Sequence, residues 1–338
     1  MTTTYDDIAA DARAWAAAHY GSNAEVTSVE RMPGHSGINY RIVVRTPEAT
    51  DDLVMRVPPP GVRRQANLDV VRLAPILDLA ASGGIPVPTV RWCSEDEQWF
   101  GTPYLMVDRV EGSPLADIFV VGNEYPERPV VDEIFRQAMS ALAGIHTLDA
   151  TRLLDEGWAV PARRDEDIAQ WQPLLHKSEV PEEVERTEEL GRRLLATAPP
   201  EVAPRVVHGD FYSNNWMLHQ GRITAILDWE NSTLNDPGWD LGWTATMYDP
   251  ACWGPSRSGS MTWHPLPARL YAWYEAAGRT VRHPQWYQAL MCYRLASITP
   301  AKVRLHRTGR RVDPVWEVFA EAIPYQLERA FELLREGS

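Results

Sequence analysis

The sequence predicts an α+β protein with two lobes, in which a small antiparallel sheet precedes a larger helical part. Residues 25–107 contain short segments rich in β-branched and aromatic residues, separated by turn-forming stretches, as is typical of strands. Residues 113–338 mostly carry apolar residues at i, i+3 and i+4, which indicates amphipathic helices. We therefore predict a first lobe at 1–107, a hinge at 108–112 and a helical second lobe at 113–338.

The first lobe is predicted to contain two helices and five strands. Alanines and aromatics at helical spacing predict an opening helix over residues 5–20. A second helix is expected over 64–82, interrupted or kinked at Pro75 because proline lacks a backbone N–H. The strands are expected at Glu25–Met32, Ile38–Arg45, Asp52–Val57, Val90–Cys93 and Pro103–Val107.

The second lobe contains one predicted hairpin among its helices. The segments Trp216–His219 and Arg222–Asp228 flank the turn-forming pair Gln220-Gly221 and so predict two antiparallel strands. Helical spacing is found at 130–149, 165–177, 181–198, 265–277, 284–307 and 313–335.

The composition excludes several kinds of partner. The chain has 338 residues, of which 44% are hydrophobic and 23% charged, as is ordinary for a globular protein in solution. Its formal net charge of −13 disfavours nucleic acid, because sequence-independent binding needs a basic surface. No run of about 18 or more apolar residues occurs, so no membrane span is expected.

The cysteines and the amino terminus indicate an ordinary intracellular protein. Cys93, Cys252 and Cys292 lie far apart without a CxxC pair, which indicates neither a disulfide framework nor a zinc site. The first residues lack a basic segment followed by an apolar one. We therefore expect a cytoplasmic protein, either a monomer or a homodimer.

The most informative stretch is His208-Gly-Asp-Phe-Tyr-Ser-Asn-Asn-Trp216, which is followed by Ile226-Leu-Asp-Trp-Glu230. It places Asp210, Asn215 and Asp228 at short separations, with a tight turn between the last two. Phosphoryl transfer from a magnesium nucleotide requires this set of two carboxylates and one amide. We predict that Asp210 takes or orients the acceptor hydroxyl proton, and that Asn215 and Asp228 bind Mg²⁺.

A glycine-containing segment, Pro33-Gly-His-Ser-Gly-Ile-Asn39, separates the first two predicted strands. Its glycines would let backbone N–H groups approach phosphates closely. An ordinary hairpin could carry the same glycines, but the position just ahead of VMRV favours a phosphate-covering loop. We therefore predict that Gly34, Ser36 and Gly37 bind the nucleotide.

Together these features resemble the protein-kinase-like fold and, more closely, the aminoglycoside phosphotransferase (phosphotransferase enzyme) family. The resemblance covers nearly the whole chain and is strongest to the branch related to the kinase-like domain of acyl-CoA dehydrogenase family member 10. It is carried by LVMRVPPPG (53–61), GIPVPTV (84–90), YLMVDRVEGSPL (104–115), VVHGDFYSNNWML (206–218), AILDWENSTLNDPGWDLGW (225–243) and CYRLASI (292–298).

The resemblance implies further residues of the nucleotide site. Arg56 stands where a phosphate-binding lysine is usual, and arginine can bind two phosphate oxygens at once. Asp69 is the candidate acidic partner of Arg56, although phosphate alone could hold the arginine. The backbone at Asp108 and Val110 is expected to lie along the adenine edge, which leaves ATP against GTP undecided.

The resemblance also implies supporting and acceptor-binding residues. His208 could touch the nucleotide phosphates, but the resemblance favours a role in which it and Asp240 brace the loop around Asp210. Glu230 could assist the metal or lie in solvent. Trp239 and Trp243 could form an apolar wall for the acceptor, although aromatic residues at helical spacing usually pack into the core.

The predicted function is that of an ATP- and Mg²⁺-dependent O-phosphotransferase acting on a hydroxyl of a small molecule. The acceptor could be a hydroxyacyl thioester, a sugar or an aminocyclitol. A catalytically weak, pseudokinase-like protein that binds a nucleotide or metabolite is the alternative, which the missing lysine favours and the intact Asp210–Asn215–Asp228 set opposes. A protein kinase is disfavoured because no HRD, DFG or APE segment is present.

Overall fold

A computed structural model describes residues 5–32, 37–58, 69–115, 124–161, 163–258 and 261–337 of the chain. The chain divides into two compact units. The first comprises Met1–Gly112, Ala150–Trp158 and Thr224–Asn231; the second comprises Ser113–Asp149, Ala159–Ile223 and Ser232–Ser338.

The first unit contains a five-stranded antiparallel sheet in the order β1-β2-β3-β5-β4. Its strands are β1 (Glu25–Met32), β2 (Ile38–Arg45), β3 (Thr50–Val57), β4 (Val90–Ser94) and β5 (Tyr104–Asp108). Its helices are α1 (Tyr5–Tyr20), α2 (Leu73–Ser82) and the short α4 (Thr151–Asp155).

A buried aromatic core joins α1 to the sheet. Trp15 on α1 has no exposed surface, and its indole Nε1 donates to the Tyr104 hydroxyl at 3.0 Å. Ile42 on β2 and Leu53 on β3 are equally buried beside it. Burying each such aliphatic side chain contributes about 1.5–3 kcal/mol. This core therefore fixes the position of β3, which carries Arg56.

The predicted second helix was too long at its amino end. Residues 64–68 lie outside the described part, and helix α2 begins only at Leu73, because Asp69 and Val70 are not helical. The Asp69 side chain accepts a hydrogen bond from the Val71 N–H at 3.2 Å and so stabilises a turn instead. Pro75 lies in the first turn of the helix, where its missing N–H breaks no intrahelical bond.

The second unit is mostly helical. Two of its long helices carry internal prolines, Pro300 and Pro324. The helices are α3 (Arg128–Ile145), α5 (Arg164–Ala169), α6 (Gln172–Leu175), α7 (Pro181–Ala196), α8 (Gly238–Met247), α9 (Pro255–Ser258), α10 (Pro267–Ala276), α11 (Pro284–Arg307) and α12 (Val315–Glu336). None of the helices in the described ranges is long and apolar enough to cross a membrane.

The loop that carries Asp210 connects strands of two small sheets. Strand β7 (Arg205–Val207) pairs antiparallel with β10 (Thr233–Asn235) and ends directly before His208. Strands β6 (Ser113–Pro114), β8 (Trp216–His219) and β9 (Arg222–Ile226) form a sheet in the order β6-β8-β9. The predicted hairpin is therefore confirmed.

Helix α8 has no counterpart among the predicted helices, and the predicted helix over 165–177 is divided into α5 and α6. Every residue of α8 is buried, so it has no polar face and no helical hydrophobic period. Gly242 lets α8 pack closely on α11, because a Cβ there would lie 2.5 Å from the backbone carbonyl of Tyr287. This close packing places the α8 side chains against both the Asp210 loop and α11.

Candidate active site

Residues 208–215 form a tightly hydrogen-bonded loop after β7, which we call the Asp210 loop. The Asp210 N–H donates to His208 Nδ1 at 3.3 Å. The side-chain nitrogen of Asn215 donates to the Asp210 carbonyl at 2.8 Å and to its carboxylate Oδ2 at 3.3 Å. The structure thus brings Asp210 and Asn215 together as the sequence predicted. Since the Asn215 nitrogen faces Asp210, its Oδ1 is the atom that can meet a hard cation.

Asp240 on α8 holds the first half of this loop. It is fully buried, and its carboxylate accepts hydrogen bonds from the His208 N–H and the Gly209 N–H, each at 2.7 Å. His146 Nε2 lies 3.1 Å from the same carboxylate. Burial raises the pKa of Asp240, but the hydrogen bond and charge of His146 and the contacts from His208 outweigh it, so the pKa lies below its ordinary value.

Helix α8 also holds the second half of the loop. Thr244 donates its hydroxyl hydrogen to the Phe211 carbonyl at 2.7 Å. The hydroxyl of Tyr248, just after the helix, accepts the Ser213 N–H at 2.7 Å. Both side chains are fully buried, so the loop rests on a rigid and solvent-free support. Helix α8, which the hydrophobic pattern did not predict, therefore supports the Asp210 loop through side-chain hydrogen bonds.

Replacing Asp240 with asparagine is expected to lower the free energy of unfolding by about 3 kcal/mol, because an amide NH₂ would face N–H donors that are buried. Urea denaturation followed by tryptophan fluorescence measures this change. Asp155→Asn is the matched control, since Asp155 is exposed and should change stability by no more than about 0.5 kcal/mol. Equal stabilities of the two variants would contradict the bracing role of Asp240.

In the first unit, Arg56 on β3 forms an ion pair with Glu230. The side chains of Arg56 and Glu230 are 18% and 5% exposed respectively, so Glu230 does not lie in solvent. The acidic partner of Arg56 is Glu230 and not Asp69, which the sequence suggested. Burial lowers the pKa of Arg56, while the charge of Asp228 opposes that shift. The Asp69 carboxylate instead stabilises its own turn, where it accepts the Val71 N–H. Glu230 lies two residues after Asp228, in the segment Thr224–Asn231 of the first unit.

Asp228 adopts a strained backbone conformation. Its φ of 62° lies in the left-handed region, which non-glycine residues rarely occupy. Hydrogen bonds on both sides of Asp228 hold this part of the backbone in place. The Ile226 N–H donates to the Pro86 carbonyl at 2.7 Å, and the Trp229 indole donates to the Ile226 carbonyl at 3.0 Å. Such strain, of about 1–3 kcal/mol, is concentrated at functional sites. Asp228 belongs to the first unit and Asn215 to the second.

The remaining predicted nucleotide contacts are placed only in part. Gly34 and Ser36 lie outside the described residues. Gly37 has a φ of 72°, a conformation that favours glycine, and a Cβ there would lie in tight contact, 3.3 Å, with the Val57 carbonyl. Asp108 ends β5, its N–H donates to the Thr89 carbonyl at 2.9 Å, and the half-buried Val110 lies between the exposed Arg109 and Glu111.

The two predicted acceptor-wall tryptophans are mostly buried. Trp239 and Trp243 are 8% and 9% exposed, and both rings lie against the guanidinium of Arg294 on α11. Their packing is close to that of core residues. Core packing was the alternative role that the helical spacing of the aromatic residues favoured. Sequence reasoning did not single out Arg294. The available signal was a lone charged residue within the otherwise uncharged run from Tyr287 to Ile298.

Comparison with known proteins identifies the class. Residues 32–259 match the model of the phosphotransferase enzyme family, and the chain belongs to this family. The predicted family, the phosphotransferase class and the α+β kinase-like fold are thereby confirmed. No finding supports the pseudokinase-like alternative.

Several individual proteins are similar to the chain. Mouse acyl-CoA dehydrogenase family member 10 is 29% identical over 59% of this chain and 19% of its own length. Hygromycin-B 4-O-kinase of Escherichia coli is 27% identical over 48% of each chain. The crystal structure of a putative aminoglycoside phosphotransferase from Ralstonia eutropha JMP134 superposes with a TM-score of 0.73 and 22% identity, over 97% of this chain and 98% of that one. The chain spans only 19–37% of the length of the first three curated relatives.

Proposed function

We propose that the protein transfers the γ-phosphoryl group of ATP to a hydroxyl group of a small molecule in a Mg²⁺-dependent reaction. The observation that carries this proposal is the Asp210 loop, in which Asn215 donates a hydrogen bond to the Asp210 carboxylate and the buried Asp240 accepts one from the Gly209 N–H. A pre-organised carboxylate of this kind is what phosphoryl transfer needs, because catalysis is mainly positioning and charge stabilisation.

Asp210 would act on the acceptor. The acceptor hydroxyl oxygen attacks the γ-phosphorus, the bond to the β–γ bridging oxygen breaks, and ADP leaves with the electron pair. The hydroxyl proton passes to the Asp210 carboxylate. Because the transition state is loose, the larger part of the work of Asp210 is to orient the hydroxyl before its proton is lost.

Asn215 and Asp228 would hold Mg²⁺. An amide oxygen and a carboxylate are hard donors that suit this ion, and the strained backbone of Asp228 is consistent with a functional position. When bound, the ion would neutralise charge on the nucleotide phosphates. The protein's own contribution is to fix the two oxygens on ordered segments.

Arg56 would bind the phosphates of the nucleotide, with Glu230 holding its guanidinium in place. The fork of an arginine offers several N–H donors, so one carboxylate leaves others for phosphate oxygens. Gly37, and with it the predicted Gly34 and Ser36, would cover the phosphates, and the backbone near Asp108 and Val110 would meet the base. Backbone recognition leaves GTP as a second possible donor.

The relatives support a small-molecule acceptor. One of them is named a hygromycin-B 4-O-kinase, which denotes transfer to a hydroxyl oxygen of a small molecule. The acceptor of the present protein is proposed to be a small hydroxylated metabolite. An ADP-release assay with ATP, Mg²⁺ and a panel of hydroxyacyl thioesters, sugars and aminocyclitols tests this proposal, and acceptor-dependent ADP release is the expected result. Stable ATP binding without transfer to any acceptor would contradict it.

Removal of Mg²⁺ by EDTA is expected to lower the transfer rate by about 1,000-fold or more, because several kcal/mol of charge stabilisation would be lost. Excess Mg²⁺ should restore the rate. EDTA saturated with Mg²⁺ beforehand is the control and should have no effect. Full activity in free EDTA would show that Asn215 and Asp228 serve no metal.

A further inference from the structure

Within the second unit, the guanidinium of Arg294 lies inside a box of three tryptophans, Trp171, Trp239 and Trp243, which we call the tryptophan box. Its Cζ atom is 5.2, 5.2 and 5.1 Å from the three ring centroids respectively. These distances are within the range of cation–π attraction. Three rings around one guanidinium hold it in a single orientation.

Arg294 forms no close ion pair with any of the described residues. Its Nη1 makes one long hydrogen bond, 3.5 Å, to the Gly209 carbonyl, and its buried Nε has no partner in the part of the chain that the structure describes. Asp167 accepts a hydrogen bond from Asn235 at 2.9 Å, Asp240 accepts from the Asp210 loop, and the Asp210 carboxylate accepts from Asn215 at 3.3 Å, so the neighbouring carboxylates are directed elsewhere. Most of the five N–H donors of the guanidinium therefore have no partner among the residues that the structure describes.

A charged group in this position is costly without an anionic partner. Burial lowers the pKa of Arg294, although the fields of Asp210, Asp167 and Asp240 oppose that shift. Arginine nevertheless remains protonated in proteins, so the charge persists and its desolvation is only partly offset by the indole faces. One neutral carbonyl at 3.5 Å does not explain why the side chain is arginine.

We propose that Arg294 is a specificity-determining residue that binds an anionic group of the acceptor, a carboxylate or a phosphate, while the tryptophan box orients its guanidinium. This inference rests on the proposed function, in which Asp210 receives the acceptor hydroxyl. Arg294 touches the carbonyl of Gly209, the residue before Asp210. An acceptor bound to Arg294 would therefore place its hydroxyl near Asp210 within the length of a small metabolite.

The local charge at Arg294 and the charge of the whole chain favour different acceptors. A net charge of −13 would attract cationic amino sugars over long distances. Net charge steers the encounter, whereas contact groups decide which molecule is held, and a cationic group beside Arg294 would be repelled. The expected acceptors are hydroxycarboxylic acids or phosphorylated alcohols, in preference to neutral or cationic hydroxyl compounds of similar size.

Steady-state kinetics on matched acceptors test this inference. One arm compares hydroxycarboxylates with their methyl esters, a second compares sugar phosphates with free sugars, and a third uses amino sugars. The wild type should prefer the anionic member of one pair, which identifies the carboxylate or the phosphate as the group bound. Arg294→Met should raise KM for that acceptor by about 10- to 100-fold and abolish the preference, with a smaller change in kcat. Arg294→Lys should restore part of it, since a charge remains without the fork.

Arg304→Met is the matched control, because Arg304 lies on the same helix, is exposed and is about 15 Å further along. It should leave every KM unchanged. The affinity of each variant for Mg-AMP-PNP, measured by calorimetry, and its melting temperature show whether the protein is folded and binds the donor.

Three results would overturn the inference. Equal losses of kcat by Arg294→Met on anionic and neutral acceptors, with KM unchanged, would make Arg294 a support of the loop only. A wild type that phosphorylates only neutral or cationic acceptors would refute the anion site and leave the proposed function intact. A wild type that phosphorylates no acceptor while binding nucleotide would refute the proposed function, and the inference with it.

Discussion

Asp210→Asn is expected to lower kcat for phosphate transfer by about 100- to 10,000-fold while leaving the affinity for ATP largely intact. Asparagine has the shape of aspartate and can keep its place beside Asn215, but its amide cannot take the acceptor proton and carries no charge to orient the hydroxyl. Stopped assays of the phosphorylated acceptor measure kcat, and calorimetry with a non-hydrolysable ATP analogue measures nucleotide affinity.

The exposed Asp155→Asn variant is the control for this comparison and should retain the wild-type kcat. The melting temperature of Asp210→Asn should remain near that of the wild type, because Asp210 is only partly buried. Nearly unchanged transfer by Asp210→Asn would show that another group orients the hydroxyl, and the role given to Asp210 would then be wrong.

The second large effect is expected at the Arg56–Glu230 ion pair. Glu230→Gln should lower the free energy of unfolding by about 3 kcal/mol, because the charge of Arg56 would remain buried without its partner. It should also weaken ATP binding, since the guanidinium would no longer be held toward the phosphates. Urea denaturation and calorimetry measure the two effects separately. Glu30→Gln is the matched control, because Glu30 pairs with Arg41 on the surface of the same sheet, where such pairs contribute about 0–1 kcal/mol.

A double variant separates the structural from the functional part of this pair. Arg56→Met with Glu230→Leu replaces both charges by apolar side chains of similar size and is expected to regain most of the lost stability. ATP affinity should stay low, because the phosphate-binding group is gone. Wild-type ATP affinity in the double variant would show that Arg56 does not bind the phosphates.

The parts of the fold that alternate or repeat regularly were predicted well from the sequence. Strands β1 and β2 and helices α1 and α11 have the predicted bounds, because local periodicity and turn residues decide them. Helix α8 was missed because it is buried on all sides and therefore has no hydrophobic period. The predicted start of α2 was wrong because the turn at Asp69 depends on one side-chain hydrogen bond, which no sequence pattern reveals.

In the candidate site, residues that are close in sequence were likewise predicted, and contacts between distant parts of the chain were missed. Asp210 and Asn215 were predicted together because only four residues lie between them in the chain, and a short loop keeps them close. The pairing of Arg56 with Glu230 joins distant parts of the chain, which no local pattern reveals. Arg294 was also missed, since its role is suggested only by three tryptophans from two other segments and by a buried Nε without a partner in the described part of the chain.

The central claim is that the Asp210 loop transfers phosphate to a small-molecule hydroxyl. The most direct test uses ATP labelled with ¹⁸O on the γ-phosphoryl group and mass spectrometry of the acceptor panel after incubation with Mg²⁺. The account predicts a phosphorylated acceptor that retains the labelled oxygens with the wild type, and almost none with Asp210→Asn. Label found only in inorganic phosphate, or equal labelling of the acceptor by both proteins, would contradict it.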